Sequence, residues 1–381
     1  MKKDSSILIC GDLCPTPEMQ MLLAKENVEP VFNRLIQEFN KSDLLIGNLE
    51  APFLEHGDPI IKTGPSFKLI PESIKGFKSV GFQVLGMANN HIRDYGDAGV
   101  ALSMQICKEK GISFVGAGTN EKNAKAPLIK NVNGWNVGFL AYAEHEFNYA
   151  SETNMGANAF DLYYSFDEIR ALKRQCDYVI VLYHGGIEYY QYPSPDLQKK
   201  SRRMIESGAD IVLCQHSHCV GCEEKYQGGT ILYGQGNTLF GYKSNSQTWN
   251  EGLLVRINLS DRETNVSYIP IKATKTNAVD LLDDSTVDDF MKRFNKRSTQ
   301  ILNSSFVKES WKSFCQSKQA EYLPMLFGHG RVVTAINKRV NNIIIKFFYS
   351  NRRTRVVHNL IRCEAHNEVV QTSLRNFNAD N

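Results

Sequence analysis

No stretch of this chain approaches the ~20 consecutive apolar residues that crossing a bilayer requires. The best candidate, Ile343-Ile344-Ile345-Lys346-Phe347-Phe348, is short and interrupted by a charge. Nothing in the opening residues resembles a secretory leader, and none is expected. After Met1-Lys2-Lys3-Asp4 the run Ile7-Leu8-Ile9-Cys10 is far too short for an apolar leader core and ends in Gly-Asp. Nor is there much excess of one charge: 44 Lys and Arg against 41 Asp and Glu leave +3, which argues for no nucleic-acid partner. There is no internal repeat and no low-complexity tract. The nine cysteines, an odd number without a leader, read as reduced thiols. The expected location is the cytoplasm.

What is present suits a folded enzyme. With 381 residues, 42% hydrophobic and 22% charged, the chain can bury a sizeable core as one large domain with an appendage. Apolar runs bounded by Gly, Asn or Asp occur at Ser6–Cys10, Leu44–Ile46, Val84–Met87, Ser113–Val115, Val137–Tyr142, Tyr178–Leu182, Ile211–Leu213 and Thr230–Tyr233. Runs that are apolar throughout predict strands buried on both faces. Segments of helical period lie between several of them, at Pro30–Asn40, Tyr95–Lys110 and Asp196–Ser207. The fold class is therefore α/β. Past Pro270 the β-type runs stop, and amphipathic segments follow at Ser285–Leu302, Val332–Phe348 and Val356–Leu374. This predicts a first domain over 1–273 and a helical C-terminal region over 274–381.

The chemistry-bearing residues cluster by position. Asp12 follows the first predicted strand, and Asn48 and Glu50 follow the second. Asn89-Asn90-His91 follows the third, His184 follows Tyr178–Leu182, and His216 with His218 follows Ile211–Leu213. Loops at the carboxyl ends of strands converge on one edge of an open α/β sheet, where ligands bind. Singly, each motif has a bland explanation as turn, cap or core histidine. Five of them on the same side of five strands predict one shared site of carboxylate, amide and imidazole. That donor set suits one or two divalent ions such as Mn²⁺, Fe²⁺ or Zn²⁺. His216-Ser217-His218 is read as extended, so that alternate rings share one metal edge.

The order Gly-Asp, Asn-Leu-Glu, Ala-Asn-Asn-His-x-x-Asp-x-Gly, His-Gly-Gly-x-Glu-Tyr, His-x-His and Tyr-Gly-x-Gly-Asn-x-Leu-Phe resembles the bacterial capsule synthesis CapA family. That family, also called the poly-γ-glutamate capsule biosynthesis family, is a branch of the calcineurin-like metallophosphoesterases. The resemblance runs from about Ile7 to Phe240. It implies a four-layer αββα sandwich holding one or two metals, with a helical C-terminal extension. It places Asp12 as the first-strand metal carboxylate, Glu50 as the bridging one and Asn90 as the amide ligand. It makes His184 and His216 ligands of one metal and His218 of the other. His91 becomes the acid that protonates the leaving group, with Asp94 fixing its tautomer. Asn48, Glu188 and Asn237 stand around the ligands or against substrate, Glu188 orienting His184.

Gln215 stands where the superfamily has glycine before the paired histidines, and two further departures concern the ligands. Asp12-Leu13-Cys14 puts cysteine where a histidine belongs, and Gly47-Asn48-Leu49-Glu50 replaces Gly-Asp-x-x-Asp. Both lower the ligand count of the first metal. The implied function is metal-dependent hydrolysis of a phosphate ester in capsule or exopolysaccharide production, on a phosphorylated or polyanionic small molecule or saccharide. The alternatives are amide (γ-glutamyl) chemistry and a non-catalytic role in polymer assembly.

Three other motifs carry rival readings. Cys214, His216, His218, Cys219 and Cys222 have part of a structural zinc pattern, but a second Cys pair or distant His pair is missing, and buried or surface thiols are expected instead. Tyr233-Gly234-Gln235-Gly236-Asn237 lacks the third glycine of a dinucleotide loop and is expected to be a tight turn at the metal edge. From residue 301 onward, 12 Lys and Arg against 5 Asp and Glu make the end basic. Lys338, Arg339, Lys346, Arg352, Arg353 and Arg355 suit either peripheral contact with an anionic membrane or a docked helical pair with a solvated basic face. The second is favoured.

Overall fold

The apolar run of the first predicted strand continues into the candidate ligands. It forms β1 (Ser5–Leu13), buried at every position but Ser6, so that Asp12 stands within the strand. The structure is a computed structural model that describes residues 2–328, 330–340, 343, 347 and 351–379. The other strands are β2 (Leu44–Leu49), β3 (Phe82–Gly86), β4 (Ser113–Val115), β5 (Ala117–Gly118), β6 (Leu128–Val132), β7 (Trp135–Ala143) and β8 (Gly156–Ala157), followed by β9 (Tyr178–His184), β10 (Ile211–Gln215), β11 (Val220–Tyr226) and β12 (Gly229–Gln235). β13 (Asn237–Leu239), β14 (Glu251–Leu259), β15 (Asn265–Ala273) and β16 (Val279–Leu281) complete the set.

Two sheets result. One runs β16-β15-β14-β1-β2-β3-β4, with β13 also pairing β1, and the other runs β11-β12-β10-β9-β7-β6. β5 and β8 form a separate two-stranded ribbon. β1 to β4 are mutually parallel, as are β7, β9, β10 and β12. Alternation along β9 separates the layers, because successive side chains of a strand point to opposite faces. Val179, Val181 and Tyr183 pack with Ile169, Leu172, Leu197, Met204 and Ile205 of helices Ser165–Lys173 and Pro195–Glu206. Ile180 and Leu182 belong to the core shared with the first sheet. On that sheet's far side, Phe32, Phe39 and Phe77 from three short helices meet Phe82 of β3 edge-on or tilted. Each fully buried phenyl ring contributes about 1.5–3 kcal/mol. The arrangement is the expected four-layer αββα sandwich.

Local corrections have local causes. The helix predicted over Pro30–Asn40 is two pieces, Glu29–Phe32 and Leu35–Asn40, separated by Asn33 at φ 45°. Tyr233–Asn237 is not a tight turn. β12 belongs to the second sheet and β13 pairs β1 of the first, so the segment carries the chain from one sheet to the other. Gly236, at φ 74°, permits this: a Cβ there would lie 2.8 Å from the Glu251 carbonyl oxygen.

The expected boundary at 273/274 falls inside the first compact unit, which extends from Met1 to Lys308. β16 pairs β15, and helix Asp284–Gln300 contributes buried Phe290 and Phe294 to the main core. Its buried Arg297 donates to the Gly221 carbonyl at 2.8 Å. The second unit, Glu309–Asn381, is helical where described, including Arg331–Arg339, Asn351–Arg362 and Glu364–Ala379. Of the basic residues singled out above, Lys346 lies outside the described residues and the Lys338 side chain is likewise not described. No helix among the described residues is long and apolar enough to cross a membrane.

Candidate metal centre

Parallel pairing brings the strand ends together. Asp12 of β1 is in register with Asn48 of β2 and with Asn237 of β13, while His184 of β9 is in register with Gln215 of β10. The two sheets present these ends to each other. There the carboxylates of Asp12 and Glu50 meet the rings of His184, His216 and His218, all of them buried.

Two groups emerge, with Glu50 common to both. Glu50, His184 and His216 form one and Asp12, Glu50 and His218 the other, each with potential ligand atoms within 4.8 Å of one another. His184 Nε2 lies 3.5 Å and His218 Nε2 3.8 Å from Glu50 Oε1. His218 Nδ1 lies 3.6 Å from Asp12 Oδ2. None of these distances is that of a hydrogen bond. Both Glu50 oxygens and His216 Nδ1 are buried without a hydrogen-bond partner. A buried carboxylate left this way is costly, and such groups are normally paired or coordinate a metal. The residues therefore fit a divalent cation.

Burial also sets the protonation. It pushes the Asp12 carboxyl up to about 8, with Glu50 adding to the rise, and it holds Glu50 well above the usual carboxylate range. It depresses His184, takes His218 down to about 3 and holds His216 well below the usual imidazole range. The histidines are therefore neutral, the form in which imidazole ligates metals.

The surrounding amides orient these groups. Asn48 Nδ2 donates to Asp12 Oδ1 at 2.8 Å and approaches His184 Nδ1 at 3.2 Å. Asn90 Oδ1 lies 2.9 Å from His184 Nε2. Asn237 Oδ1 lies 2.8 Å from His218 Nδ1, while its Nδ2 donates to the Trp249 carbonyl at 3.2 Å. An amide whose nitrogen is engaged in this way presents its oxygen to the ring, so His218 carries its proton on Nδ1 and leaves Nε2 toward Glu50. Glu188 lies apart from His184's hydrogen bonds, on the wall of the adjoining cavity with Glu146.

His216 and His218 reach the cluster by a different route from strand alternation. Their φ angles are 87° and 50°, so the backbone curls through left-handed conformations and each ring joins a different group. Such angles are unfavourable for non-glycine residues and persist only where surrounding contacts hold them. Asp12 Oδ2 accepts from the His216 backbone N–H at 3.2 Å, and the His218 ring packs against Phe240 and Trp249 at 4.8 and 4.9 Å between centroids.

His91 stands beside the cluster. Its Nδ1 is 2.7 Å from Asp94 Oδ2, leaving Nε2 as the nitrogen for exchange with a ligand. Phe67 donates its backbone N–H to the same oxygen at 2.7 Å and lays its ring 4.6 Å from the imidazole. A cavity of about 270 Å³ opens here, lined by His91, Asn90, His218, Phe67, Trp249 and Lys243 among others. Lys62 also lines it, with its side chain 4% exposed and ion-paired to Asp94. Sequence reasoning missed Lys62, Phe67, Lys243 and Trp249, which come from irregular segments and a four-residue helix with no periodic signal.

The departures are visible as contacts. Cys14 is buried, and burial together with nearby Glu50, Asp94 and Asp12 holds its thiol well above the usual range. It belongs to neither group. The rival zinc pattern is not assembled: Cys214, Cys219 and Cys222 are buried free thiols, and His216 and His218 serve the other cluster.

An αββα sandwich with paired histidine and carboxylate groups at facing strand ends defines the class of protein. A family model described as "Bacterial capsule synthesis protein PGA_cap" matches residues 6–242, and the chain belongs to that family. It is 27% identical over 347 residues to the capsule biosynthesis protein CapA of Bacillus anthracis, covering 88% of this chain and 80% of that one. To the PGA biosynthesis protein CapA of Bacillus subtilis it is 28% identical over 238 residues, 60% of this chain and 62% of that one. Among solved structures, a novel phosphatase from Mycoplasma pneumoniae aligns at 12% identity and a TM-score of 0.44, over 71% of this chain and 95% of that one.

Proposed function

We propose that this chain is a metal-dependent, phosphoesterase-like hydrolase of capsule or exopolysaccharide production. The observation that carries the reading is Glu50, a buried carboxylate shared by two candidate ligand groups and with neither oxygen hydrogen-bonded. Asp12, Glu50, His184, His216 and His218 would hold one or two ions of the Mn²⁺, Fe²⁺ or Zn²⁺ kind, with Asn90 as a further ligand. A bound cation supplies Lewis acidity toward a phosphoryl oxygen and acidifies water to a nucleophile at neutral pH.

The chain's own residues do the rest. Asp94 fixes His91 with its proton on Nδ1 and stabilises the imidazolium, so Nε2 delivers a proton to the departing alkoxide. Asn48 and Asn237 hold the His184 and His218 rings in place. The walls of Phe67 and Trp249 keep water from the leaving side. The substrate is a phosphorylated or polyanionic small molecule or saccharide. The reaction runs in the cytoplasm, where nine unpaired thiols persist. The basic C-terminal unit is a candidate for peripheral contact with an anionic membrane.

The names of the two Bacillus relatives, which concern capsule and PGA biosynthesis, support an alternative in which the same site cleaves or transfers a γ-glutamyl amide. Elemental analysis, followed by assays on phosphomonoesters, phosphodiesters and γ-glutamyl peptides with and without Mn²⁺, separates the two. Metal-dependent turnover of phosphoesters alone is expected. Turnover of γ-glutamyl peptides alone would replace this reading, and a metal-free protein inactive after Mn²⁺ addition would favour a non-catalytic assembly component.

A further inference from the structure

The loop between β2 and helix Ile74–Ser79 inverts the ordinary partition of side chains. Ile61 is 100% exposed, while the side chain of its neighbour Lys62 is only 4% exposed. Lysines are almost never fully buried unless paired. Asp94 fastens this loop at two points that do not need the lysine. Its carbonyl accepts from the Ile60 N–H at 2.9 Å, and its Oδ2 accepts from the Phe67 N–H at 2.7 Å. The carboxylate already receives His91 Nδ1 as well. A neutral side chain of similar volume would fill the same space without the desolvation penalty of a buried cation. The charge is paired with Asp94 Oδ1, and because Lys62 also lines the cavity it can attract a further anion there.

The cavity indicates where that anion sits. The Lys62 ammonium has three N–H donors. The ammonium is ion-paired with Asp94 Oδ1 without the geometry of a hydrogen bond. His91 Nδ1 is 3.3 Å away, but that nitrogen donates to Asp94 and offers no lone pair. Lys62 lines the same cavity as His91, His218 and Asn90, so its donors are available to a ligand held there. Lys243, on the same lining, has its charge drawn over the Trp249 ring at 3.0 Å from the centroid and lies near Glu188. Lys62 is thus the cation placed beside the proposed proton donor.

We propose that Lys62 is a catalytic residue that grips a non-bridging oxygen of the substrate's phosphoryl group, on the side of the cavity that His91 occupies. The assignment rests on the phosphoesterase reading above. No bond is made or broken at Lys62: it donates hydrogen bonds and stays protonated.

The test uses the full-length, Mn²⁺-loaded protein and inorganic phosphate as the probe. Phosphate inhibition, KM and kcat for an aryl phosphodiester, bound metal and melting temperature are measured for the wild type and for Lys62→Met, Lys62→Gln, Lys62→Arg and Ile61→Ser. The expected result is phosphate inhibition about tenfold or more weaker in Lys62→Met and Lys62→Gln, the scale of one lost hydrogen bond between charged groups. KM should rise with it, metal content should hold, Lys62→Arg should recover part of the loss, and Ile61→Ser should change nothing. Unchanged phosphate inhibition in both neutral variants, or an equal loss in Ile61→Ser, would overturn the proposal and leave the phosphoesterase reading standing. A wild type that is not inhibited by phosphate and hydrolyses no phosphoester would instead remove that reading, and this one with it.

Discussion

The two halves of the site are built on opposite principles. Around Glu50, buried acids and neutral histidines face one another at 3.5–4.0 Å, and although amides engage Asp12, His184 and His218, both Glu50 oxygens and His216 Nδ1 lack hydrogen bonds. Around Asp94, the carboxylate receives the Phe67 backbone, the His91 ring and the Lys62 ammonium. The first half leaves three buried atoms without partners, whereas the second leaves only Asp94 Oδ1 without a hydrogen bond and sets the Lys62 cation against it. On the proposed function the shared edge would divide its work: one side would hold a cation, and the other would supply a proton.

This contrast can be broken by substitution, beginning with the largest effect. Glu50→Gln removes the carboxylate common to both groups and should lower turnover about a thousandfold or more, since a catalytic cation is worth several kcal/mol. The same change relieves an unpaired buried acid, so the metal-free variant should melt higher than the metal-free wild type. Loss of stability together with activity would mean that Glu50 is a structural residue. His91→Ala should cut kcat by about 10²–10⁴ while bound metal stays near the wild-type level. A large loss of metal would refute the acid role. Asn237→Ala frees the His218 ring and should weaken metal binding by about 10–100-fold, measured by competition with a chelator. Unaltered affinity would show that packing by Phe240 and Trp249 suffices to place that ring.

The smallest expected effect is on pH dependence. Folded-state values of the three cluster histidines are depressed, so their contribution to stability is gained as pH rises toward the ordinary imidazole value of 6.5 and is complete above it. The Asp12 carboxyl is raised from 3.8 to about 8, so the stability associated with its neutral form is lost as pH climbs between those values. Between about pH 7 and about pH 8 the effects of the raised Asp12 and Glu50 carboxyls remain, both lowering stability as pH rises. Metal-free protein should therefore lose melting temperature across that window, while metal affinity rises as the bound proton is released more readily. Thermal scans with and without Mn²⁺ should show the gap widening; a constant gap would contradict the burial of protonated carboxyls at Asp12 and Glu50.

Much of this was legible in the sequence because it depends on local pattern. Fully apolar runs such as Tyr178–Leu182 found the buried parallel strands, and the residues just beyond them found Asp12, Glu50 and the histidines. Left-handed backbone at His216 and His218 was not legible, since neither residue type calls for it and long-range contacts enforce it. Lys62 was hidden for a related reason: a lysine in an aperiodic loop is ordinarily solvated, and its burial is decided by Asp94, 32 residues later in the chain. The domain boundary moved because Phe290 and Phe294 lie on an amphipathic helix, and a helical period does not reveal which core the helix joins.

The central claim is that Glu50 joins two ligand groups around bound metal. Elemental analysis of protein purified without chelator and re-equilibrated with Mn²⁺ tests it most directly, comparing the wild type with Glu50→Gln and His91→Ala. One or two ions per chain are expected in the wild type and in His91→Ala, with most of that metal lost in Glu50→Gln. Equal metal in the wild type and Glu50→Gln would contradict the account.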